Sequence, residues 1–145
     1  MNEKQSAVML APTNQSVVIP PGGTNFEITV HCRLPFSTWD EFHPVRYGLA
    51  SALGNPKLWV ETMRWDYFAF RDLRTEGNQF ILNGHPIYFR GTHFGGDFPL
   101  TGYPPTDVDS WKKIFQTCKD YGLNHMRFHS WCPPEAAFAA ADELG

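Results

Sequence analysis

The chain has 145 residues, room for one ordinary domain or parts of two, and its 42% apolar and 15% aromatic content marks globular material, not a disordered tail. A net charge of −3 without a basic stripe gives nucleic-acid binding no electrostatic support, and no apolar run approaches the roughly 20 residues of a membrane span. Met1 to Leu10 carries one Lys and no apolar h-region, so it does not read as a signal peptide, which leaves the compartment of a longer, exported parent open. Cys32, Cys118 and Cys132 are odd in number and form no CxxC spacing, so neither a disulfide framework nor a zinc knuckle is indicated.

The first half reads as β. Val17-Val18-Ile19 runs into the turn signal Pro20-Pro21-Gly22-Gly23, after which Phe26, Ile28 and Val30 alternate with polar residues at the period of a half-buried strand. Val45, Tyr47 and Leu49 repeat that period, Gly54-Asn55-Pro56 breaks the chain, and Leu58 and Val60 begin another strand. Short strands at loop spacing suggest part of an antiparallel sandwich. Phe80-Ile81-Leu82 and Ile87-Tyr88-Phe89 then flank Asn83-Gly84, a pair able to supply the two positive φ angles of a type I′ turn, so a β-hairpin is expected. Pro86 cannot donate to a ladder and should sit on an unpaired side.

The last third changes period. Thr106 is placed as an N-cap with Asp109 three residues on, and Trp111, Ile114, Phe115 and Cys118 follow on one helical face. Gly122 is a natural stop, Leu123 to His129 reads as a strand, and Pro134 opens a second helix whose apolar face is Ala137, Phe138, Ala141 and Leu144. The order is strands, hairpin, then β-α-β-α, the alternation of a parallel α/β unit. Two βα units close nothing, since a (β/α)8 barrel needs roughly 250 residues. The chain therefore reads as a truncated piece.

In the strand Leu123 to His129, Met126 and Phe128 share one face while His125, Arg127 and His129 share the other. An apolar face belongs against helices, so the polar face is expected to point into a barrel, with its last members at the strand's C-terminal end, where barrel enzymes place their sites. A second cluster, Arg90-Gly91-Thr92-His93 followed by Gly95-Gly96-Asp97, is expected as a top loop from which His93 and Asp97 reach a bound ligand; the competing reading is turn chemistry alone. His85, His93, His125, His129 and Cys132 match neither HExxH nor paired CxxC spacing, so no metal is expected. Neither a GxSxG elbow nor a P-loop occurs, and no cofactor is expected.

Several segments resemble glycoside hydrolase family 2, the β-galactosidase/β-glucuronidase group, in the family's order. Trp39-Asp40-Glu41-Phe42-His43-Pro44-Val45-Arg46-Tyr47-Gly48-Leu49 resembles the "W-x-x-x-x-P-x-L-Y-x-L" strand of the family's immunoglobulin-like domain. Phe68-Ala69-Phe70-Arg71-Asp72-Leu73 resembles the closing "F-G-F-R-x-I", with Ala69 where Gly is usual. Phe80 to Gly91 resembles "F-x-L-N-G-x-P-I-x-L-R-G", which leads into the catalytic barrel. Gly122-Leu123-Asn124-His125-Met126-Arg127 resembles "G-x-N-x-x-R" on barrel strand two, and Ala141-Asp142-Glu143-Leu144-Gly145 resembles "x-D-E-L-G" after helix two. Two departures stand out. The family's "R-x-S-H-Y-P" is here Arg127-Phe128-His129-Ser130-Trp131-Cys132-Pro133, with His and Ser exchanged, and its "G-V-N-x-H-x" is Gly91-Thr92-His93-Phe94-Gly95, so His93 is not equated with the family histidine.

The resemblance implies an α+β fragment: a partial immunoglobulin-like β-sandwich over residues 1–75, then a β-hairpin and the first two βα units of a (β/α)8 barrel over residues 76–145. It also implies a retaining hydrolase of β-linked glycosides whose two glutamates stand about 5–5.5 Å apart at the ends of later barrel strands. This chain stops before strand three; Glu135 and Glu143 lie on helix two and Glu41 and Glu61 in the sandwich, so no catalytic residue is nominated. The expected contribution is a wall of the sugar pocket, with Arg127 and His129 central and His93, Asp97 and Trp131 nearby, the partner being a carbohydrate substrate of the full-length parent. The competing classes are a non-catalytic carbohydrate-binding module and a structural fragment without a role of its own.

Overall fold

The computed structural model describes residues 14–31, 35–55 and 60–145. The chain divides by compactness into Met1–Pro35 and Phe36–Gly145. In the first unit the turn at Pro21-Gly22 is present, closed by a bond from Gly23 N to Pro20 O at 3.1 Å. The strand expected at Phe26, Ile28 and Val30 is not, since residues 14–31 form neither helix nor strand. Alternation names the side chains that would share a face, but ladder bonds come from a partner strand, and none pairs with this segment among the described residues.

The second unit mixes sheet and helix. β1 (Tyr47–Asn55) and β2 (Val60–Phe68) form an antiparallel pair with Tyr47 opposite Phe68 and Leu53 opposite Thr62. β1 starts at Tyr47, so Val45 lies ahead of it, and Pro56 and Leu58 lie outside the described residues. Phe36, Tyr47, Phe68 and Phe70 interlock at the open end of this pair, with ring centroids 4.7 Å apart for Phe36–Phe70 and 5.0 Å for Phe36–Tyr47.

β3 (Leu73–Glu76), β4 (Gln79–Leu82) and β5 (His85–Ile87) form a three-stranded meander. The expected hairpin is present. Asn83 and Gly84 have φ of 52° and 82°, the two left-handed residues of the turn, and Leu82 pairs with His85. Pro86 lies on β5, an edge strand, where the missing donor costs no ladder bond on the open side. β3, which strand periodicity passes over, returns through Gly77-Asn78, with Gly77 at φ 60°.

β6 (Gly91–Phe94), α1 (Val108–Asp120), β7 (His125–Phe128) and α2 (Glu135–Leu144) complete the chain as a βαβα run whose two strands pair in parallel. Ile87 to Phe89 only leads toward this layer; the strand itself is Gly91–Phe94. The N-cap of α1 is Asp107, not Thr106. Its carboxylate accepts from Ser110 N at 2.8 Å, and that backbone bond holds it below the usual carboxylate range. The helix ends as expected at Gly122, φ 76°, with Gly122 N bonded to Lys119 O and Leu123 N to Cys118 O, a Schellman pattern.

The core lies between this layer and the helices. Trp111, Ala136, Ala137 and Ala140 are buried, and Phe94, Phe98, Phe115, Phe128 and Trp131 pack against them. The buried stripe of α2 is thus Ala136, Ala137 and Ala140, and Phe138, expected inside, is 53% exposed. Small side chains let α2 approach α1 closely, whereas a phenyl ring at that seam would hold the helices apart.

Candidate functional site

The two parallel strands sort their side chains by the period of two. Register pairs His93 with Arg127 and Gly91 with His125 on one face, and Thr92 with Met126 and Phe94 with Phe128 on the other. Phe94 and Phe128 pack into the core, and Met126 with Ile114 and Cys118 lines a groove beside α1. His93, His125, Arg127 and His129 are exposed on the opposite face. The division between Met126/Phe128 and Arg127/His129 follows the expected alternation.

Three of the five candidate residues meet. Arg127 Nη1 stands 3.1 Å from His129 Nδ1, and since guanidinium only donates, Nδ1 accepts and the ring proton of a neutral His129 is on Nε2. The His93 and His129 rings lie 4.8 Å apart, tilted by 44°. Asp97 follows in the loop after β6. Its Oδ2 and the His93 Cε1 come within 3.6 Å and 3.9 Å of the point where a Gly95 Cβ would sit, so glycine there leaves both side chains room on one side of the loop. His93 is on the strand and not in a top loop as expected, because β6 begins only at Gly91.

Trp131 has a different setting. Its Nε1 donates to Phe94 O at 3.1 Å, and its ring packs against Phe128 and Phe94 with centroids 5.2 Å and 5.7 Å away. It closes the end of the core under the candidate face and is not an open platform. Gly96, φ 88°, accommodates it, since a Cβ there would come 3.1 Å from Nε1. Phe94 O also accepts from His129 N at 3.0 Å, so one carbonyl ties the C-terminal ends of both strands together.

Two more residues bear on this face: His125, which alternation had placed on it without a role, and Ser130, which sequence reasoning passed over. His125 lies over Gly91, whose added Cβ would be 2.7 Å from His125 Nδ1. Ser130 has φ 62°, a left-handed conformation unusual for a non-glycine residue, directly after His129. Its only sequence signal is the exchanged His129-Ser130 order: the backbone reverses after His129, which stays in phase with Arg127. Among the described residues Arg127 has no ion-pair partner. Among the same residues no three His, Cys, Asp or Glu side chains gather closely enough to hold a metal ion. The face offers guanidinium and imidazole donors and one carboxylate, a set suited to hydrogen-bonding hydroxyls.

No protein-family model matches the sequence. A putative β-glucuronidase of Formosa agariphila is 28% identical over 111 residues, covering 74% of this chain, and the chain spans 13% of that relative's length. The crystal structure of Parabacteroides merdae β-glucuronidase superposes with a TM-score of 0.64 at 26% identity, over 75% of this chain and 13% of that one. The family 2 β-galacturonidase of Eisenbergiella tayi, solved bound to galacturonate, gives 0.57 at 25% identity, over 76% and 19%. Over about three quarters of its length the chain is similar to proteins of glycoside hydrolase family 2.

Most residues that carry the family 2 resemblance are seams. Trp39 Nε1 donates to Asp142 O at 2.8 Å. Asn83 Nδ2 donates to Trp39 O at 2.9 Å while its Oδ1 accepts from Asp72 N at 3.0 Å. Arg90 bonds both oxygens of Glu41 at 3.2 Å and Gly122 O at 2.7 Å. Asn124 accepts from Arg90 N at 2.8 Å and returns a bond to its carbonyl at 3.0 Å. Glu143 binds Arg46 at 2.9 Å and also Lys112. Burial would raise its pKa, but the hydrogen bond and charge of Lys112 together with Arg46 outweigh that and lower it. Lys119 Nζ reaches Glu41 O at 2.7 Å, Leu144 O at 2.5 Å and Gly145 O at 3.0 Å, and its burial depresses the ammonium pKa against the pull of Glu41 and Asp40. Gly145, φ 84°, lies so close to Glu41 O that a Cβ would sit 2.8 Å from it. In family 2 terms, Arg127 is the exception: a motif residue that points to solvent on the candidate face.

Proposed function

We propose that this chain forms part of the sugar-pocket wall of a retaining glycoside hydrolase that cleaves O-glycosyl bonds of β-linked carbohydrates, without itself carrying the two catalytic glutamates. On this reading residues 1–75 are a partial immunoglobulin-like sandwich and residues 76–145 the start of a (β/α)8 barrel, with β6 and β7 as its first two strands. Arg127 and His129 hydrogen-bond substrate hydroxyls or orient the acid/base glutamate, with His93 and Asp97 beside them and Trp131 bracing the strand ends from behind.

The observation that supports it is the joined set His93, Arg127 and His129 on the exposed face of a parallel strand pair, at and just past the C-terminal ends, while the other face feeds an aromatic core. β-Glucuronidase and β-galacturonidase are the activities of the similar proteins, and a β-linked glycoside is the corresponding substrate class here. A chromogenic β-glycoside tests the split between wall and engine. The purified 145-residue chain should release no chromophore, because a wall without acid/base and nucleophile performs neither glycosylation nor deglycosylation. Turnover that copurifies with the chain and disappears in Arg127→Ala would overturn it.

A further inference from the structure

At the other end of the parallel strands lies a cleft of about 190 Å3 lined by Trp39, Arg46, Tyr67, Arg71 and Asp142. Asp142 is in the last turn of α2. That helix ends with Gly145 against Glu41, which is bonded to Arg90 immediately before β6, so the cleft belongs to the N-terminal side of the strands, away from His129 and Asp97. It takes no part in the β6–β7 face.

Its chemistry is mixed and balanced. The Arg71 guanidinium lies 5.2 Å from the Trp39 ring centroid, and Arg46 lies 5.1 Å from that of Tyr67. Arg46 is already paired with Glu143. Arg71 and the Asp142 carboxylate have no ion-pair partner among the described residues. Tyr67 is 66% exposed, and Gly48 opposite it adds no side chain; a Cβ there would reach 3.5 Å from Tyr67 Cε1. An anion would meet Asp142 and a cation would meet Arg71, while a purely apolar ligand would desolvate both charges without pairing either. A neutral pyranose satisfies all of them: its C–H face lies on an aromatic ring, its hydroxyls donate to carboxylate and accept from guanidinium.

We propose that this cleft is a saccharide-binding site for a neutral pyranose unit, stacked on Tyr67 with its hydroxyls held between Arg71 and Asp142. The proposal does not rest on the reading of the β6–β7 face. Titrating the full chain with methyl β-D-glucopyranoside, followed by saturation-transfer NMR and tryptophan fluorescence, tests it, with glucuronic acid as the charged comparator. Saturable binding of the neutral glycoside is expected, weakened about tenfold or more by Arg71→Gln or Asp142→Asn, since each removes a charged hydrogen-bonding partner. Lys113→Gln, at an exposed position of α1 outside both sites, should leave it unchanged. Both cleft substitutions are at exposed positions, so if one disturbs folding by circular dichroism the other carries the test. Absence of saturable binding, tighter binding of glucuronic acid, or undiminished affinity in both Arg71→Gln and Asp142→Asn would each overturn the assignment.

Discussion

Replacing Trp111 by Ala should cost more stability than any other single change in the βαβα layer. Trp111 is 0% exposed, and its ring centroid lies 5.5 Å from Phe115, 6.0 Å from Phe128, 6.3 Å from both Phe94 and Phe98, and 6.5 Å from Trp131. Truncation opens a cavity that five aromatic neighbours cannot collapse into without leaving their rotamers, which puts the loss at about 3–5 kcal/mol. A whole domain is stable by about 5–15 kcal/mol, so the variant should stand near the edge of folding. Trp111→Phe keeps a ring but loses part of its volume and the Nε1 bond to Pro105 O at 2.7 Å, the bond being about 1 kcal/mol of the effect, so its cost should fall between those of the parent chain and Trp111→Ala. Urea unfolding read by near-UV circular dichroism gives both values. Amide exchange at His129 gives the local consequence, because its bond to Phe94 O depends on Phe94 staying seated against Trp111. A Trp111→Ala variant within about 0.5 kcal/mol of the parent chain would mean that the aromatic cluster does not hold the candidate face in place.

Glu143→Gln should cost about 1 kcal/mol, since the pairs with Arg46 and Lys112 are partly exposed, and its effect should depend on pH. The folded pKa of Glu143 is lowered, so its contribution is complete above the unfolded carboxylate value and fades as pH falls through the folded one; the gap between parent and variant in urea melts should therefore close on acidification, and a gap independent of pH would refute the ion pairs. Asn83→Ala loses two hydrogen bonds and forces alanine to φ 52°, for about 2–3 kcal/mol, whereas Asn83→Gly keeps the turn and should lose only the bonds, about 1–2 kcal/mol; equal costs in thermal melts would show that backbone conformation plays no part.

Local chemistry made several elements legible. Asn83-Gly84 specifies a turn by itself, because few residue pairs tolerate two left-handed angles. Trp111, Ile114, Phe115 and Cys118 define the inner face of α1, and Gly122 its end. The alternation through β7 separates Arg127 and His129 from Met126 and Phe128 before any partner is known. The errors share a cause. Phe26 to Val30 has strand period but no paired strand among the described residues. Thr106 and Asp107 are both competent caps, and only the bond to Ser110 N selects the second. Every residue of α2 from Ala136 to Ala141 is apolar, so periodicity has no polar face to count against; contact with α1 selects the alanines and leaves Phe138 outside.

The candidate face divides in the same way. Sequence alone established that Arg127 and His129 share the polar face of the second strand, because side-chain direction in a strand follows from covalent geometry and needs no neighbour. Tertiary structure decided that the His93 ring lies against that of His129, that Trp131 braces the core instead of facing solvent, and that Glu41, Lys119 and Gly145, 78 and 26 positions from Lys119 at the two ends, share one seam. Those pairings join residues whose separation along the chain carries no information about their distance in space. They arise only when the parallel strands, the two helices and the segment around Trp39 pack together, and the free energy of that packing belongs to the assembled layers and to no local run of residues.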